Sequence, residues 1–132
     1  MRFSSTRLAY FFRMKKTVVI GASLNPERTA HLAVIRLHDK GHEVIAIGLR
    51  EGVIGEINVV VGTPDVQHVD TVSLYLNQAR QAELIDYVFS LKPKRIIFNP
   101  GTENPMFMQR AIDKGIDAFE ACTLTMLAIG AY

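Results

Sequence analysis

The stretch TVVIGASLNP, residues 17–26, carries the strongest fold signal of the chain. It opens with a run of β-branched residues, which is typical of a buried parallel strand. The turn Gly21-Ala-Ser23 follows, and apolar residues at helical spacing begin a few positions later. A strand that leads through a glycine turn into a helix brings backbone N–H groups and a helix N-terminus to the strand's carboxyl end. The stretch therefore predicts a phosphate-binding turn in an α/β fold.

Predicted strands and helices alternate along the rest of the chain. The five main strands are predicted at Thr17–Ile20, Glu43–Ile47, Val69–Leu76, Arg95–Phe98 and Ile116–Phe119, with a short accessory strand at Asn58–Val61. Helices are predicted after Pro26, from Asn77 to Leu91, after Asn104 and from Thr123 to Ile129. Short connections between alternating elements favour a parallel sheet covered by helices on both faces. We expect a Rossmann-like three-layer α/β fold, with a five-stranded parallel sheet in the order 3-2-1-4-5.

Composition is that of an ordinary globular protein. The 132 residues are 48% apolar and 21% charged, which fits one domain with its own core. No apolar run approaches the ~20 residues that a membrane span needs, and no spacing of Cys and His indicates a metal site. The single Cys122 has no partner for an internal disulfide, which fits a reducing compartment. We expect a cytoplasmic protein without metal and without membrane contact.

Charge is distributed unevenly. Residues 1–16 hold five of the fifteen Lys and Arg residues and no acid, so the remainder carries a net charge of −3. That remainder gives no electrostatic reason to expect nucleic acid as a partner. Residues 1–15 are predicted to be an extension outside the domain, which is predicted to span residues 16–132. The extension is interpreted as a targeting peptide, a disordered lead-in or translated sequence ahead of a start at Met14.

Four loops are expected to meet at the ligand. In a doubly wound sheet the ligand lies beyond the carboxyl ends of the strands, beside strand one where the strand order reverses. The loops that converge there are Gly21–Pro26, Gly48–Arg50, Leu76–Asn77 and Asn99–Gly101.

The end of the second predicted strand helps to choose between ligands. The dinucleotide pattern G-x-G-x-x-G is missing, because the first turn has one glycine, and a P-loop is excluded because no G-K-[ST] occurs. NAD also needs an acid at the end of strand two, where this chain reads Gly48-Leu49-Arg50. A guanidinium matches phosphate oxygens in a bidentate way, so Arg50 suits a ribose phosphate. On this ground NADP and the 3′-phosphate of coenzyme A both remain open.

The opening Gly21-Ala-Ser23, with Pro26, Arg28 and Ala30, resembles that of the small stand-alone CoA-binding domain proteins. These are similar to the N-terminal, CoA-binding domain of the succinyl-CoA synthetase α subunit. The resemblance covers roughly residues 16–127. It implies a Rossmann-like domain that binds coenzyme A, with the pyrophosphate at the first turn and the adenine near the loops after strands two and three. Synthetase activity is not implied, because the phosphorylated histidine of that enzyme belongs to a second domain.

Site residues carried over by the resemblance lie in all four loops. Main-chain N–H groups of the first turn would approach the pyrophosphate, Arg28 would neutralise phosphate, and the 48–50 loop keeps a cation although Gly-Leu replaces the usual Asn-Pro. After the fifth strand, Glu120-Ala-Cys122 stands where relatives often have Asp-Arg-Cys. The predicted binding residues are Gly21, Ala22, Ser23, Pro26, Arg28, Gly48, Leu49, Arg50, Leu76, Asn77, Asn99, Pro100 and Gly101.

Catalytic residues are not evident in the sequence. The four histidines, at positions 31, 38, 42 and 68, form no constellation with Ser and Asp. Cys122 is interpreted as a small buried residue, with a mixed disulfide to the thiol of coenzyme A as the alternative. We therefore predict a protein that binds coenzyme A or an acyl-CoA and plays a binding or regulatory role. The alternatives are an NADP-binding oxidoreductase-type module, which the missing glycines disfavour, and a ligand-free interaction domain that forms a homodimer.

Overall fold

One sheet of seven strands runs through residues 14–132, the part of the chain that the computed structural model describes. The predicted extension lies outside the described residues apart from Met14 and Lys15, and the domain boundary at residue 16 stays a prediction. The sheet order is β3-β4-β2-β1-β5-β6-β7. All neighbouring strands are parallel except β3 and β4, which are antiparallel. The strands are β1 Thr17–Ala22, β2 Val44–Gly48, β3 Gly52–Ile54, β4 Ile57–Val60, β5 Thr71–Leu74, β6 Arg95–Phe98 and β7 Asp117–Glu120.

Five helices cover the two faces of this sheet. They are α1 Thr29–Asp39, α2 Gln78–Gln81, α3 Ile85–Ser90, α4 Pro105–Asp113 and α5 Thr123–Ala128. The predicted helices after Pro26, after Asn104 and from Thr123 are confirmed, whereas the helix predicted from Asn77 to Leu91 is two shorter helices. None of the helices in the described part of the chain is long and apolar enough to cross a membrane.

The core forms two layers, one on each side of the sheet. On one side, Val18 and Ile20 of β1 pack with Val88 of α3 and Phe107 of α4. On the other side, Val19 of β1 packs with α1 and α5, through residues that include Val34, Leu37 and Leu127. Alternate residues of β1 thus face opposite layers, as the pleat of a strand requires. The predicted three-layer α/β architecture is confirmed.

The predicted strand order is wrong, and so is the number of strands. The strand predicted third, now β5, pairs with β1 through Val18 and Val72, so the five main strands have the order 2-1-3-4-5. The place expected for it beside β2 is taken by β4, which was predicted as an accessory strand. A parallel neighbour usually follows a helical crossover of a dozen or more residues. Here the connection between β2 and β4 holds the antiparallel strand β3 in place of a helix. The sequence between β2 and β4 therefore lacks the helical periodicity that would have indicated a parallel neighbour.

A buried polar cluster closes the amino ends of β1, β5 and β6. The hydroxyl of Tyr132 hydrogen-bonds that of Thr17, the first residue of β1. Arg95, the first residue of β6, lies with its guanidinium carbon 4.2 Å from the centre of the Tyr132 ring. Its Nε donates to Thr71 Oγ1 at 2.6 Å and lies 3.9 Å from an Asp70 carboxylate oxygen. We call this set, together with His42, the amino-edge cluster.

His42 completes the amino-edge cluster. Its ring meets the Tyr132 ring edge to face at 4.8 Å, and its Nδ1 accepts a hydrogen bond from the backbone N–H of Lys15 at 2.9 Å. Burial lowers the pKa of His42, and the neighbouring charges of Lys15 and Arg95 lower it further. The cluster therefore favours the neutral ring, with the proton on Nε2.

Candidate functional site

Strand β1 ends in a bulge at Gly21. The pairing with β2 shifts register between Ile20 and Ala22, and Gly21 adopts a φ of +94°. A Cβ at this position would lie 2.9 Å from the carbonyl carbon of Tyr75 and 3.1 Å from the side chain of Leu76. Only glycine satisfies both conditions, the left-handed backbone and the close approach. The first turn consequently lies directly against the loop after β5.

The turn after the bulge is fastened by its own side chains. Ser23 Oγ accepts from the backbone N–H of Asn25 at 3.1 Å, and Asn25 Oδ1 accepts from the N–H of Glu27 at 3.0 Å. Helix α1 then begins at Thr29 behind Arg28, whose backbone is extended and whose side chain does not cap the helix. Internal hydrogen bonds thus order the turn, whereas no side chain caps the first amides of the helix.

Several amide groups in this turn have no protein acceptor. Within residues 14–132, the N–H groups of Ser23, Leu24, Thr29 and Ala30 donate no hydrogen bond to the protein. The first amides of a helix always lack an intrahelical partner, and together with the helix dipole they attract anions. The carboxyl end of β1 therefore offers a group of donors suited to a phosphate.

His31 lies in the first turn of α1 and reaches back to the same loop. Its Nδ1 is 2.7 Å from the carbonyl oxygen of Ser23. The sequence alone does not predict a role for this histidine. The one available signal was its position three residues after Arg28, and spacing alone does not reveal a contact to a backbone carbonyl.

The loop after β2 touches the first turn. A Cβ at Gly48 would lie 2.5 Å from the carbonyl oxygen of Ala22, and one at Gly52 would lie 2.7 Å from the side chain of Leu24. The next two residues of the loop, Leu49 and Arg50, are exposed, Leu49 to 73%. Close packing of Gly48 against Ala22 therefore holds this loop beside the first turn, while the side chains of Leu49 and Arg50 remain exposed to solvent.

The loop after β5 is anchored by Gln81. Asn77 caps α2, as predicted, by accepting from the N–H of Arg80 at 3.0 Å. The buried side-chain amide of Gln81 donates to the carbonyls of Leu76 and Thr102 at 2.8 and 2.7 Å. Its oxygen accepts from the side chain of Asn104 at 2.9 Å. Gln81 therefore joins the loops after β5 and β6, a role that no local sequence pattern predicts.

Asn99 is a structural residue of the loop after β6. Its side chain is 1% exposed and donates to Ser73 Oγ at 2.9 Å and to the Leu74 carbonyl at 2.8 Å. Its oxygen accepts from the N–H of Thr123 at 2.8 Å. These bonds tie β5, β6 and the start of α5 together. The side chain of Asn99 thus holds the loop after β6 against the end of β5 and the start of α5.

The neighbouring Gly101 already binds an anion of the protein itself. Its backbone N–H lies 2.7 and 2.9 Å from the two carboxylate oxygens of Glu103. Pro100 and Gly101 are exposed. The N–H of Gly101 is thus already paired within the protein, and contact of this loop with a ligand stays a prediction.

Two titratable side chains follow strands at the carboxyl edge, Tyr75 after β5 and Cys122 after β7. The Tyr75 hydroxyl is buried beside those of Ser73 and Thr123 but makes no hydrogen bond of ordinary geometry within residues 14–132. Burial raises the pKa of Tyr75 to about 12, which keeps the hydroxyl protonated. Cys122 is half-buried just before α5, where a hydrogen bond with the Thr125 hydroxyl lowers the pKa of its thiol.

The structure brings together the four loops predicted to form the site. Loop 21–26 contacts both 48–50 and 76–77, and Asn99 contacts the end of β5. The exposed cations among the predicted binding residues are Arg28 and Arg50, neither of which is within ion-pair distance of a carboxylate in the described part of the chain. Contact of the thirteen predicted residues with a ligand stays a prediction.

A separate cleft of about 520 Å³ lies at the opposite end of the sheet. Its walls are the loops 65–70 and 90–94, before β5 and β6, and it contains none of the predicted site residues. Among residues 14–132, no three His, Cys, Asp or Glu side chains form a group that could hold a metal ion.

The fold and the loops define a Rossmann-like α/β domain whose open edge is the carboxyl edge of its sheet. The chain belongs to the CoA binding domain family, whose sequence pattern matches residues 15–128. The resemblance deduced from the sequence is thereby confirmed. No curated protein matches the chain.

Solved structures extend this comparison. The crystal structure of an uncharacterised protein shares 42% identity and a TM-score of 0.87, over 90% of this chain and 98% of the other. A protein from Thermus thermophilus shares 18% identity and a TM-score of 0.79, over 99% of this chain and 100% of the other. A hypothetical protein from Pyrococcus horikoshii OT3 shares 21% identity and a TM-score of 0.74, over 89% and 84%. The last two are similar in fold alone.

Proposed function

We propose that this protein binds coenzyme A or an acyl-CoA at the carboxyl edge of its sheet and plays a binding or regulatory role. The observation that carries the proposal is the open start of α1 behind the Gly21 bulge, in a chain of the CoA binding domain family. Bound coenzyme A would supply a thiol that carries an acyl group. The protein's own residues would hold the nucleotide part.

The first turn suits the pyrophosphate. The amides of Ser23, Leu24, Thr29 and Ala30 have no protein acceptor among the described residues. Because Ser23 Oγ accepts from Asn25, its hydroxyl proton remains available for a phosphate oxygen. A helix N-terminus contributes about 0.3–1 kcal/mol per favourable charge, and up to ~2 kcal/mol when partly buried. The other loops must therefore supply a large part of the affinity.

The loop after β2 suits the 3′-phosphate. Arg50 is exposed and has no carboxylate partner in the described part of the chain, and Gly48 holds the loop against the first turn. A guanidinium offers paired donors to phosphate oxygens. NAD has no phosphate on this ribose, so Arg50 favours coenzyme A over NAD.

A thermal-shift series tests the proposal. The purified protein is heated with coenzyme A, acetyl-CoA, NAD, NADP and ATP. We expect coenzyme A and acetyl-CoA to raise the melting temperature, since a ligand at 100 times its Kd stabilises the native state by about 2.7 kcal/mol. A shift with NADP alone would support the oxidoreductase-type alternative. No shift with any of the five would leave the ligand-free interaction domain.

Arg50→Glu tests the assignment of the 3′-phosphate. The variant should bind coenzyme A about tenfold or more weakly, because it replaces an attractive charge with a repulsive one. Its affinity for dephospho-CoA should change much less. Arg36→Glu is the matched control, because Arg36 is exposed in the last turn of α1, at the opposite end of the helix from the turn. Equal losses for both ligands in Arg50→Glu would refute the assignment.

A further inference from the structure

We propose that His31 is a positioning residue of the phosphate turn. It holds the carbonyl of Ser23 towards α1, so that the amide of the next residue, Leu24, faces the ligand. This inference rests on the proposed function, because it concerns the turn to which we assign the pyrophosphate.

The hydrogen bond requires a hydrogen on one particular nitrogen of the ring. His31 Nδ1 lies 2.7 Å from the Ser23 carbonyl oxygen, and a carbonyl oxygen only accepts. Nδ1 must therefore carry a hydrogen. The base of the side chain is also fixed, because the backbone N–H of His31 donates to the Arg28 carbonyl at 3.1 Å in the first turn of α1. The ring thus donates to one backbone oxygen from a fixed place in the first turn of α1.

The geometry of the peptide bond turns this contact into control of an amide. The structure contains no cis peptide bond in its described part, and in a trans peptide the C=O and the following N–H point in opposite directions. Holding the Ser23 carbonyl towards His31 therefore directs the Leu24 N–H away from it. That N–H has no acceptor among residues 14–132.

Rotation of the same peptide would damage an anion site twice. It would withdraw the Leu24 amide and present the partial negative charge of the Ser23 carbonyl oxygen to the phosphate. The other side-chain ties in the turn do not prevent this rotation, since Ser23 Oγ and Asn25 Oδ1 bind the amides of Asn25 and Glu27. His31 provides the one side-chain contact to the Ser23 carbonyl in the described part of the chain.

Three variants of His31 separate this role from the alternatives. The side-chain nitrogen of Asn is attached to Cγ, as Nδ1 of His is, whereas that of Gln lies farther out, near the place of Nε2. We expect His31→Asn to bind coenzyme A within about threefold of the wild type. His31→Gln and His31→Leu should bind it about tenfold more weakly, since one backbone contact is lost and one carbonyl is released. The losses should be equal for dephospho-CoA, because the pyrophosphate is common to both ligands.

Calorimetric titration of all four proteins, together with the melting temperature of each without ligand, gives the answer. Unchanged affinity in His31→Leu while the wild type binds would overturn this inference and leave the proposed function intact. Rescue by Gln in place of Asn would also overturn it, because Nε2 would then be the acting atom. A lowered melting temperature without a change in affinity would show a merely structural role. Absence of coenzyme A binding by the wild type would overturn the proposed function and this inference with it.

Discussion

The two edges of the sheet are built in opposite ways. At the amino edge, Tyr132 and Arg95 pack over the first residues of the strands, and the hydroxyls of Thr17 and Thr71 are hydrogen-bonded to them. At the carboxyl edge, α1 begins without a side-chain cap, and the cations Arg28 and Arg50 stand exposed. At the amino edge most polar side chains of the cluster are paired within the protein, the buried Nη2 of Arg95 excepted. The carboxyl edge leaves donors for something outside the protein.

This difference separates stability from binding. A buried polar group that loses its partner costs about 1–3 kcal/mol, so changes in the amino-edge cluster should destabilise the fold. Exposed donors and cations contribute little to folding, so changes at the carboxyl edge should alter affinity more than stability. The exception is a residue that shapes the open edge through buried contacts.

Gly21 is that exception, and Gly21→Ala should have the largest effect. A Cβ there would meet the backbone of Tyr75 at 2.9 Å, in addition to a φ of +94°. The left-handed backbone costs roughly 1–2 kcal/mol, and the clash adds about 1–3 kcal/mol. Urea denaturation should show the combined loss, and coenzyme A binding should fall with it.

Gly101→Ala is the matched control for this prediction. Gly101 has a φ of +92°, but no atom lies within 4 Å of a Cβ placed on it. Gly101→Ala should lose only the stability that the left-handed backbone costs, about 1–2 kcal/mol. Equal destabilisation of the two variants would show that the contact between the bulge and the β5 loop does not constrain the fold.

Tyr132 tests the amino edge with the next largest effect. Tyr132→Ala removes a half-buried ring from Arg95 and His42, and we expect a loss of about 2–4 kcal/mol, somewhat below the range for fully buried aromatic residues. Tyr132→Phe removes only the hydrogen bond to Thr17 and should cost about 0.5–1.5 kcal/mol. Chemical denaturation measures both. A marked fall in coenzyme A affinity in Tyr132→Phe would contradict the separation of the two edges.

His42 makes the amino edge sensitive to pH, with a smaller effect. Its pKa in the folded protein lies below the usual 6.5, so the unfolded chain binds a proton more readily. The stability that the protein gains from holding His42 neutral is present above about pH 6.5. It is lost as the pH falls through the lowered pKa of the folded state. Denaturation between pH 8 and pH 5 should show a decline that is weaker in His42→Phe. The same decline in both proteins would assign the pH dependence to other groups.

The sequence predicted local features of the fold better than pairings between strands. Strand β6 has the predicted limits, Arg95–Phe98, because its continuous apolar run is read without reference to other elements. The strand order was wrong because β4 is short and reaches its place beside β2 through the hairpin with β3. No local pattern shows which strand pairs with β1.

The site shows the same division. The sequence itself indicates the glycine turn and the exposed arginines as candidates, because each residue type has its own chemistry, and their contact with a ligand stays a prediction. The structural roles of Asn99, Gln81 and His31 were not predicted. Each side chain hydrogen-bonds a backbone carbonyl whose position depends on the folded loops. Such bonds exist only once the loops have been brought together.

An amide-resolved NMR titration with coenzyme A tests the comparison of the two edges most directly. The amide signals of Ser23, Leu24, Thr29 and Ala30 should shift on addition of coenzyme A. Those of residues 65–70 and 90–94, which line the cleft at the opposite end, should stay in place. Shifts confined to the cleft, or none in the first turn at saturating coenzyme A, would contradict the assignment of the ligand to the carboxyl edge.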